Sequence, residues 1–263
     1  MPIHCATLIT NLTRDEFIRR DELVMNCAYA AQNKLGRLCD ERVYENELAD
    51  RLLTAGVKDV ATQVPLYVTH GPFTKEYRLD LVADHAVYEL KTVTQFTRAH
   101  DAQVFNYAMC LGIRCIKLIN FRGNNVDGKL RIMSVTADER HAAKISTNDW
   151  QPLSPRCQLL KQHLTGLVED LGGFLEASLY DEALSCILSA PETRLTVTSN
   201  GIELGTHATR MLADHIAFYV SGLTENIPRH RPHLQRLLAT LPLKAIHWIN
   251  FNRQNITLTT LIK

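Results

Sequence analysis

The sequence predicts an α/β protein made of two similar domains, each a mixed central sheet flanked by helices. Two observations support this prediction. The apolar patterning of the first half gives the order α-β-β-β-α-β, which is typical of a sheet that packs against helices. The second half then repeats residues of the first half in the same order. We therefore expect tandem copies at residues 1–145 and 146–263, related by a pseudo-twofold axis.

Composition and charge narrow the class of protein. A content of 46% hydrophobic and 22% charged residues is ordinary for a globular chain. No apolar run is long enough to span a membrane, and the first residues lack a signal-peptide pattern. The seven scattered cysteines are typical of reduced thiols, so we expect a cytoplasmic protein. The net charge of +1 indicates that any binding of nucleic acid is local.

Two helices are predicted near the start of the chain. After a loose lead-in over residues 1–14, a helix begins at Asp15 and ends at Gly36. The second helix, at about residues 40–53, carries one stripe at three- and four-residue spacing: Glu41, Tyr44, Glu45, Leu48 and Leu52. Its leucines make this stripe the buried one, which places both acids at the rim of the core. Glu41 also suits a solvated helix start, where an acid favours the dipole; for Glu45 we expect a role at a metal site.

The chain is organised around a predicted hairpin at residues 77–91, with its turn at Asp84-His85. Side chains alternate between the two faces of a strand, so Glu89 and Lys91 share one face, and Asp80 on the first strand lies across from them. Burying such charges is costly unless they pair or hold a metal. The pattern therefore has two interpretations. One is an ion-paired sheet face, and the other is a divalent-metal site with a lysine aimed at water or phosphate.

Four more elements complete the first copy. A strand at residues 63–69 precedes the hairpin, and a turn at Gly71-Pro72 separates the two. A helix at residues 100–111 places three side chains on one face: His100, Gln103 and Tyr107. Tyr107 is equally well explained as a core aromatic residue. A buried strand at residues 115–121 and an edge strand at residues 129–135 follow.

These motifs together resemble a known family. Asp80 with Glu89-Leu90-Lys91 is similar to the D…ExK signature of the PD-(D/E)XK nuclease superfamily, and Gln103 with Tyr107 is similar to its Q-x-x-x-Y helix. The Leu35-Gly36 pair and the segment 41–45 resemble the bacterial GxxExxY family within it. The match covers about residues 24–136, although Leu38 stands where that family has glycine.

The resemblance implies a fold, a cofactor and an activity. It implies a nuclease that hydrolyses phosphodiester bonds with Mg²⁺ or Mn²⁺, and we expect DNA as the substrate. Ligands for the metal would be Asp80, Glu89, the Leu90 carbonyl, Glu45 and Glu41. Lys91 would orient water and offset transition-state charge, while Gln103, Tyr107 and His100 would position the nucleic acid. The alternative is a binding or assembly module that keeps the fold without catalysis.

The second copy lacks this chemistry. Residues 171–184 repeat residues 35–48, and Ala213-Asp214-His215 and Ile249-Asn250-Phe251 repeat Ala83-Asp84-His85 and Ile119-Asn120-Phe121 with one constant separation. At that separation the motif positions hold Arg210, Tyr219, Ser221, His233 and Leu237. In the match of residues 171–184 to residues 35–48, which has a slightly larger separation, Ala177 and Asp181 replace the two helix acids. We expect this copy to keep the fold but to bind no catalytic metal by the same route.

One basic cluster in the second copy gives it a possible role. Arg229, Arg231 and Arg236 lie at a predicted helix start, where cations oppose the helix dipole and a bound anion would compensate them. Solvated charges explain the cluster as well. We expect the protein to be a monomer whose two copies pack as an internal pseudo-dimer and grip nucleic acid together.

Overall fold

The computed structural model describes residues 2–263 and divides into two compact units. Unit 1 comprises Met1–Val68 and Lys75–Ala137, and unit 2 comprises Thr69–Thr74 and Asp138–Lys263. Each contains a six-stranded mixed sheet flanked by helices, which confirms the predicted fold class and is consistent with two tandem PD-(D/E)XK-like domains. None of the helices in residues 2–263 is long and apolar enough to cross a membrane.

The elements of the first half follow the predicted order with one addition. They are β1 (Ile3–Cys5), α1 (Arg14–Leu35), α2 (Glu41–Thr54), β2 (Val60–His70), β3 (Phe73–Ala83), β4 (Ala86–Lys91), α3 (Arg98–Leu111), β5 (Cys115–Asn120) and β6 (Asp127–Ile132). The prediction of a loose lead-in was wrong in part, because β1 pairs antiparallel with β2 along the edge of the sheet. Three residues give too short a pattern for a strand to be recognised without its partner.

The elements of the second half repeat this order. They are α4 (Ala137–His141), β7 (Lys144–Ser146), α5 (Pro155–Leu171), α6 (Ala177–Ile187), β8 (Glu192–Ser199), β9 (Ile202–Ala213), β10 (Ile216–Ser221), α7 (Ile227–Thr240), β11 (Ala245–Asn252) and β12 (Asn255–Ile262). The segment expected to join the copies thus contains β7, which pairs with β12 in the second sheet. The domain boundary after residue 145 stays a prediction.

Five strands have the same order in both sheets, and each sheet has one further strand at an edge. The order is β1-β2-β3-β4-β5-β6 in unit 1 and β8-β9-β10-β11-β12-β7 in unit 2. In each sheet the second strand of the hairpin pairs in parallel with the strand that follows the next helix. These pairs are β4 with β5 and β10 with β11. The extra strand lies at the β2 edge in unit 1 and at the β12 edge in unit 2.

A buried tyrosine fixes the start of the second helix in each unit. The Tyr44 hydroxyl donates to the carbonyl of Gly36 at 2.6 Å, and the Tyr180 hydroxyl donates to the carbonyl of Gly172 at 2.6 Å. Both rings stack on a phenylalanine at the end of a central strand, with centroids 4.3 Å apart for Tyr44 and 3.9 Å apart for Tyr180. Both glycines end a helix with positive φ (73° and 76°), which an L side chain adopts only at a cost. This shared contact gives the repeated Leu-Gly and Tyr positions a structural reason.

We expect Tyr44→Phe to lower the free energy of unfolding by about 0.5–1.5 kcal/mol, because the Gly36 carbonyl loses its donor. The midpoint of urea unfolding measures this change. The exposed Tyr29 supplies the matched control, since Tyr29→Phe removes a hydroxyl from the surface. Equal midpoints for the two variants would contradict the role of the buried contact.

Candidate active site

A tight hairpin positions the central acids of unit 1. Asp84 and His85 form its turn with φ of 46° and 69°, as a two-residue turn with two left-handed positions requires. Val82 pairs with Val87 and Leu81 with Tyr88, and extension of this antiparallel register places Asp80 opposite Glu89. There the Asp80 carboxylate replaces a backbone acceptor, because its Oδ2 accepts the Leu90 N–H at 2.8 Å. Asp80 is thereby held at the sheet surface beside Glu89.

Glu89 is the most deeply buried acid of the site, with 2% of its surface exposed. Its Oε1 accepts from Lys91 Nζ at 2.6 Å, but its Oε2 is buried and has no hydrogen-bond partner among residues 2–263. Burial and the nearby Asp80 raise the pKa of Glu89 to about 8, against the opposing effect of Lys91. The site therefore contains an acid whose charge is incompletely compensated.

Asp80 and Lys91 respond to the same environment in different ways. Burial raises the pKa of Asp80 to about 6, although the Leu90 N–H and Lys91 favour its charged form. Burial also disfavours the charge on Lys91, but Glu89, Glu41 and Asp80 outweigh this effect and raise its pKa above the ordinary value. Lys91 thus stays a cation between acids.

The acids of α2 reach this cluster from the side. Glu45 is 3% exposed, and its Oε2 accepts from Arg42 at 2.7 Å. Glu41 lies farther out at the first turn of the helix, with its Oε2 3.5 Å from Lys91 Nζ. The structure therefore brings the four acids and Lys91 into one region, with Glu45 buried and Glu41 at the rim.

Gln63 on β2 is part of the cluster, although the sequence analysis assigned it no role. Its Nε2 donates to both carboxylate oxygens of Glu45, at 3.0 and 2.9 Å, and to Asp80 Oδ1 at 3.3 Å. Its φ of 51° is unusual for a residue other than glycine, and such backbone strain is concentrated at functional sites. A lone glutamine in an apolar strand gave no signal in the sequence, because only the fold brings it between two acids.

Helix α3 contributes two further predicted residues. The Gln103 Nε2 donates to the Tyr107 hydroxyl at 3.0 Å, and the Tyr107 ring packs edge-on against Tyr77 with centroids 5.7 Å apart. Burial, together with the charge of Glu89, raises the pKa of Tyr107 to about 12, so its hydroxyl remains a donor at neutral pH. His100 instead caps its own helix, where its Nδ1 accepts the Thr97 N–H at 3.0 Å.

The donor set of the cluster fits a hard divalent cation. Asp80 and Glu89 offer carboxylate oxygens, and one oxygen of Glu89 is buried without a partner. The Leu90 carbonyl belongs to the same strand segment. In residues 2–263 no group of three or more His, Cys, Asp or Glu side chains is gathered as a metal cluster. The carboxylates that the structure brings together for such a cation are therefore those of Asp80 and Glu89.

The corresponding positions of unit 2 carry an ion pair. The Arg210 guanidinium contacts Asp181 Oδ2 at 3.2 and 3.3 Å. Ser221 donates to Asn250 at 2.8 Å and accepts from the Trp248 indole at 2.8 Å. These contacts place a cation and neutral hydrogen bonds where the aligned positions of the first copy have acids and a lysine.

Comparison with known families agrees with this geometry. Residues 19–132 match the model of a PD-(D/E)XK nuclease superfamily family. The matched segment extends from α1 to the end of β6 and contains every predicted site residue of the first copy. No curated protein and no solved structure matches the chain.

Metal-free protein should lose stability as the pH rises, because the folded state disfavours charged Glu89. A folded-state pKa of about 8, raised from 4.5, stabilises the fold fully below about pH 4.5, and this contribution is lost as the pH rises through about 8. Glu89→Gln is neutral throughout and should reduce the loss. Urea midpoints measured in a chelating buffer from about pH 5 to about pH 9 test this expectation.

The exposed Glu22 provides the control, since Glu22→Gln should leave the wild-type pH dependence unchanged. Parallel stability curves for wild type and Glu89→Gln would show that Glu89 does not carry this linkage.

Proposed function

We propose that this protein is a metal-dependent nuclease that hydrolyses phosphodiester bonds in DNA, with catalysis in the N-terminal copy. The observation that carries the proposal is the juxtaposition of Asp80, Glu89 and Lys91 on a sheet within the segment that matches the nuclease superfamily. An ion-paired sheet face would compensate both acids. Here one Glu89 oxygen is buried without a donor among the described residues, and it can bond to the neighbouring Asp80 carboxylate only through a shared proton. A divalent cation would take the place of that proton.

The proposed roles follow from charge and position. Mg²⁺ or Mn²⁺ bound by Asp80, Glu89 and the Leu90 carbonyl would supply Lewis-acid polarisation of the scissile phosphate. Lys91 is held as a cation 2.6 Å from Glu89, where it can orient a water molecule and offset charge that develops on the phosphate. In this proposal Glu45 and Glu41 assist from α2, with Glu45 held by Arg42 and Gln63.

Helix α3 supplies the contacts to the substrate in this proposal. The Tyr107 hydroxyl, supported by Gln103, keeps its proton and can donate to a phosphate oxygen or to water. His100 lies about one helical turn before Gln103 on the same face of α3, and its hydrogen bond to the Thr97 N–H fixes its ring. In this proposal the ring contacts the nucleic-acid strand that enters the site.

A non-catalytic role in nucleic-acid binding suits the second copy, which we propose arose from the first by tandem duplication. The Arg210–Asp181 ion pair is the specific observation, because it brings positive charge to a position that would need a carboxylate to hold a cation. Arg229 and Arg236 are exposed on α7, and Arg231 is exposed but paired with Asp149 at 3.0 Å. We propose that the protein is a monomer in which this copy helps to hold the substrate.

Lys91→Ala should lower the cleavage rate by about 10²-fold or more, because the site loses the cation that stabilises developing charge. The assay uses labelled single- and double-stranded DNA and RNA with Mg²⁺ or Mn²⁺. Lys58→Ala, at an exposed position, is the matched control and should cleave like wild type. Cleavage by Lys91→Ala at the wild-type rate would place the activity in another site or another protein.

The same variants separate binding of the metal from turnover. Mg²⁺ should raise the melting temperature of wild type and of Lys91→Ala, since a ligand of the folded state stabilises it. The increase should disappear in Asp80→Asn and Glu89→Gln. An equal increase in all four proteins would place the cation elsewhere.

Replacement of Arg229 and Arg236 together by Ser should weaken DNA binding. It should also reduce the slope of log affinity against log salt by about 2, as expected for two lost phosphate contacts. Arg231→Ser is the comparison, because Asp149 already compensates Arg231 and its loss should change the slope less. Salt-titrated binding with a labelled duplex measures both slopes. Unchanged slopes in the double variant would exclude the cluster from the interface.

A further inference from the structure

A cavity of about 180 Å³ lies in unit 2, at the positions that align with the candidate active site of the first copy. Its wall includes the four residues that stand where the first copy has two acids of the sheet, one acid of the helix and the helix tyrosine: Asp181, Arg210, Tyr219 and Leu237. Unit 2 therefore has a lined space at the positions where unit 1 has its acids.

The size and the walls of the cavity indicate the kind of molecule that fits. An apolar protein cavity of about 150 Å³ holds one benzene ring, whereas a single water needs only about 10–15 Å³. The inner wall is apolar and buried, with Phe218, Leu241 and Ile246 each at most 3% exposed. A cluster of waters would find few partners on such a surface. The space therefore suits one six-membered ring.

Polar groups at one side of the cavity require the ring to carry hydrogen-bonding atoms. Thr209 lines the space, and its Oγ1 is buried with no partner among residues 2–263. A buried hydroxyl without a partner points to an unseen water or ligand atom. Arg210, Asp181 and Glu192 also line the space, so residues that can donate and residues that can accept hydrogen bonds surround it.

The balance of charge disfavours an anionic ligand. Arg210 is already paired with Asp181, and Glu192 is its cross-strand partner on β8. Two carboxylates against one guanidinium leave no excess of positive charge to attract a phosphate. A neutral ring whose edge carries N–H donors and carbonyl acceptors matches this lining. In nucleic acids, carboxylates accept from the amino group of cytosine, and hydroxyl groups can donate or accept.

We propose that this cavity binds one pyrimidine ring, either from a free nucleoside or from an unpaired base in a strand. The ring would occupy the apolar wall, and its polar edge would bond to Thr209 and to the charged side chains beside it. By the same comparison with benzene, a bicyclic purine should fit the space less well than a single ring. This proposal does not depend on the proposed nuclease activity, because every residue that lines the cavity belongs to unit 2.

The test measures binding to the full chain in metal-free buffer. The probes are cytidine, uridine and adenosine, together with short single-stranded oligonucleotides of thymidine and of deoxyadenosine. Titration calorimetry and ligand-observed NMR measure the affinity for each probe. We expect pyrimidine probes to bind more tightly than purine probes. Thr209→Val keeps the shape of the side chain and removes the hydroxyl, so it should weaken pyrimidine binding by about 3- to 10-fold.

Two more variants make the result decisive. Thr198→Val changes an exposed residue of β8 outside the cavity and should bind like wild type. Ala208→Leu adds bulk to the lining and should abolish pyrimidine binding. Thr209→Val, which keeps the side-chain shape, should remain folded. Binding of nucleosides identifies a free ligand, and binding of the thymidine oligonucleotide alone identifies a strand. No pyrimidine binding, equal binding of purines, or wild-type affinity in Thr209→Val would overturn the proposal.

Discussion

The structure of unit 1 depends on two carboxylates that adjacent strands hold out of water. Asp80 accepts a hydrogen bond from a backbone N–H of the neighbouring strand, and Glu89 accepts one from Lys91. Burial nevertheless raises the pKa values of both acids. Such an arrangement costs stability when no cation is present. The surrounding elements offset part of this cost, since Gln63 donates to Asp80 and Lys91 donates to Glu89.

Unit 2 has the same framework without these buried acids. The tyrosine contact to a helix-ending glycine persists in both units, and so does an asparagine at the end of the central strand. The amide of that asparagine, Asn120 or Asn250, donates to the carbonyl of the residue two beyond the last hairpin strand, at 2.7 and 3.0 Å. These contacts occur in both units, whereas the pair of buried sheet acids occurs in unit 1. Framework and chemistry are thus separable in this chain.

Most of the fold could be predicted from local patterns, and the exceptions have physical reasons. Helix α1 ends at Gly36 as expected, because glycine adopts the positive φ of this position without steric cost. The hairpin turns at Asp84 because short polar residues tolerate positive φ. Strands β1 and β7 were missed because three residues carry no period. Their identity comes from a partner strand that is distant in sequence.

The sequence by itself predicted that Asp80, Glu89 and Lys91 share one face, because side-chain alternation and a two-residue turn favour that register. The hairpin of unit 2 has a similar turn but a bulge after Ile216, so only the tertiary structure decided that the register of unit 1 is unshifted. The sequence also determined which aligned positions of the second copy lack those groups. Only the tertiary structure decided that Gln63 lies between two acids and that one Glu89 oxygen has no partner among the described residues. It alone revealed the pairing of Arg210 with Asp181, because such contacts join residues whose separation along the chain carries no signal.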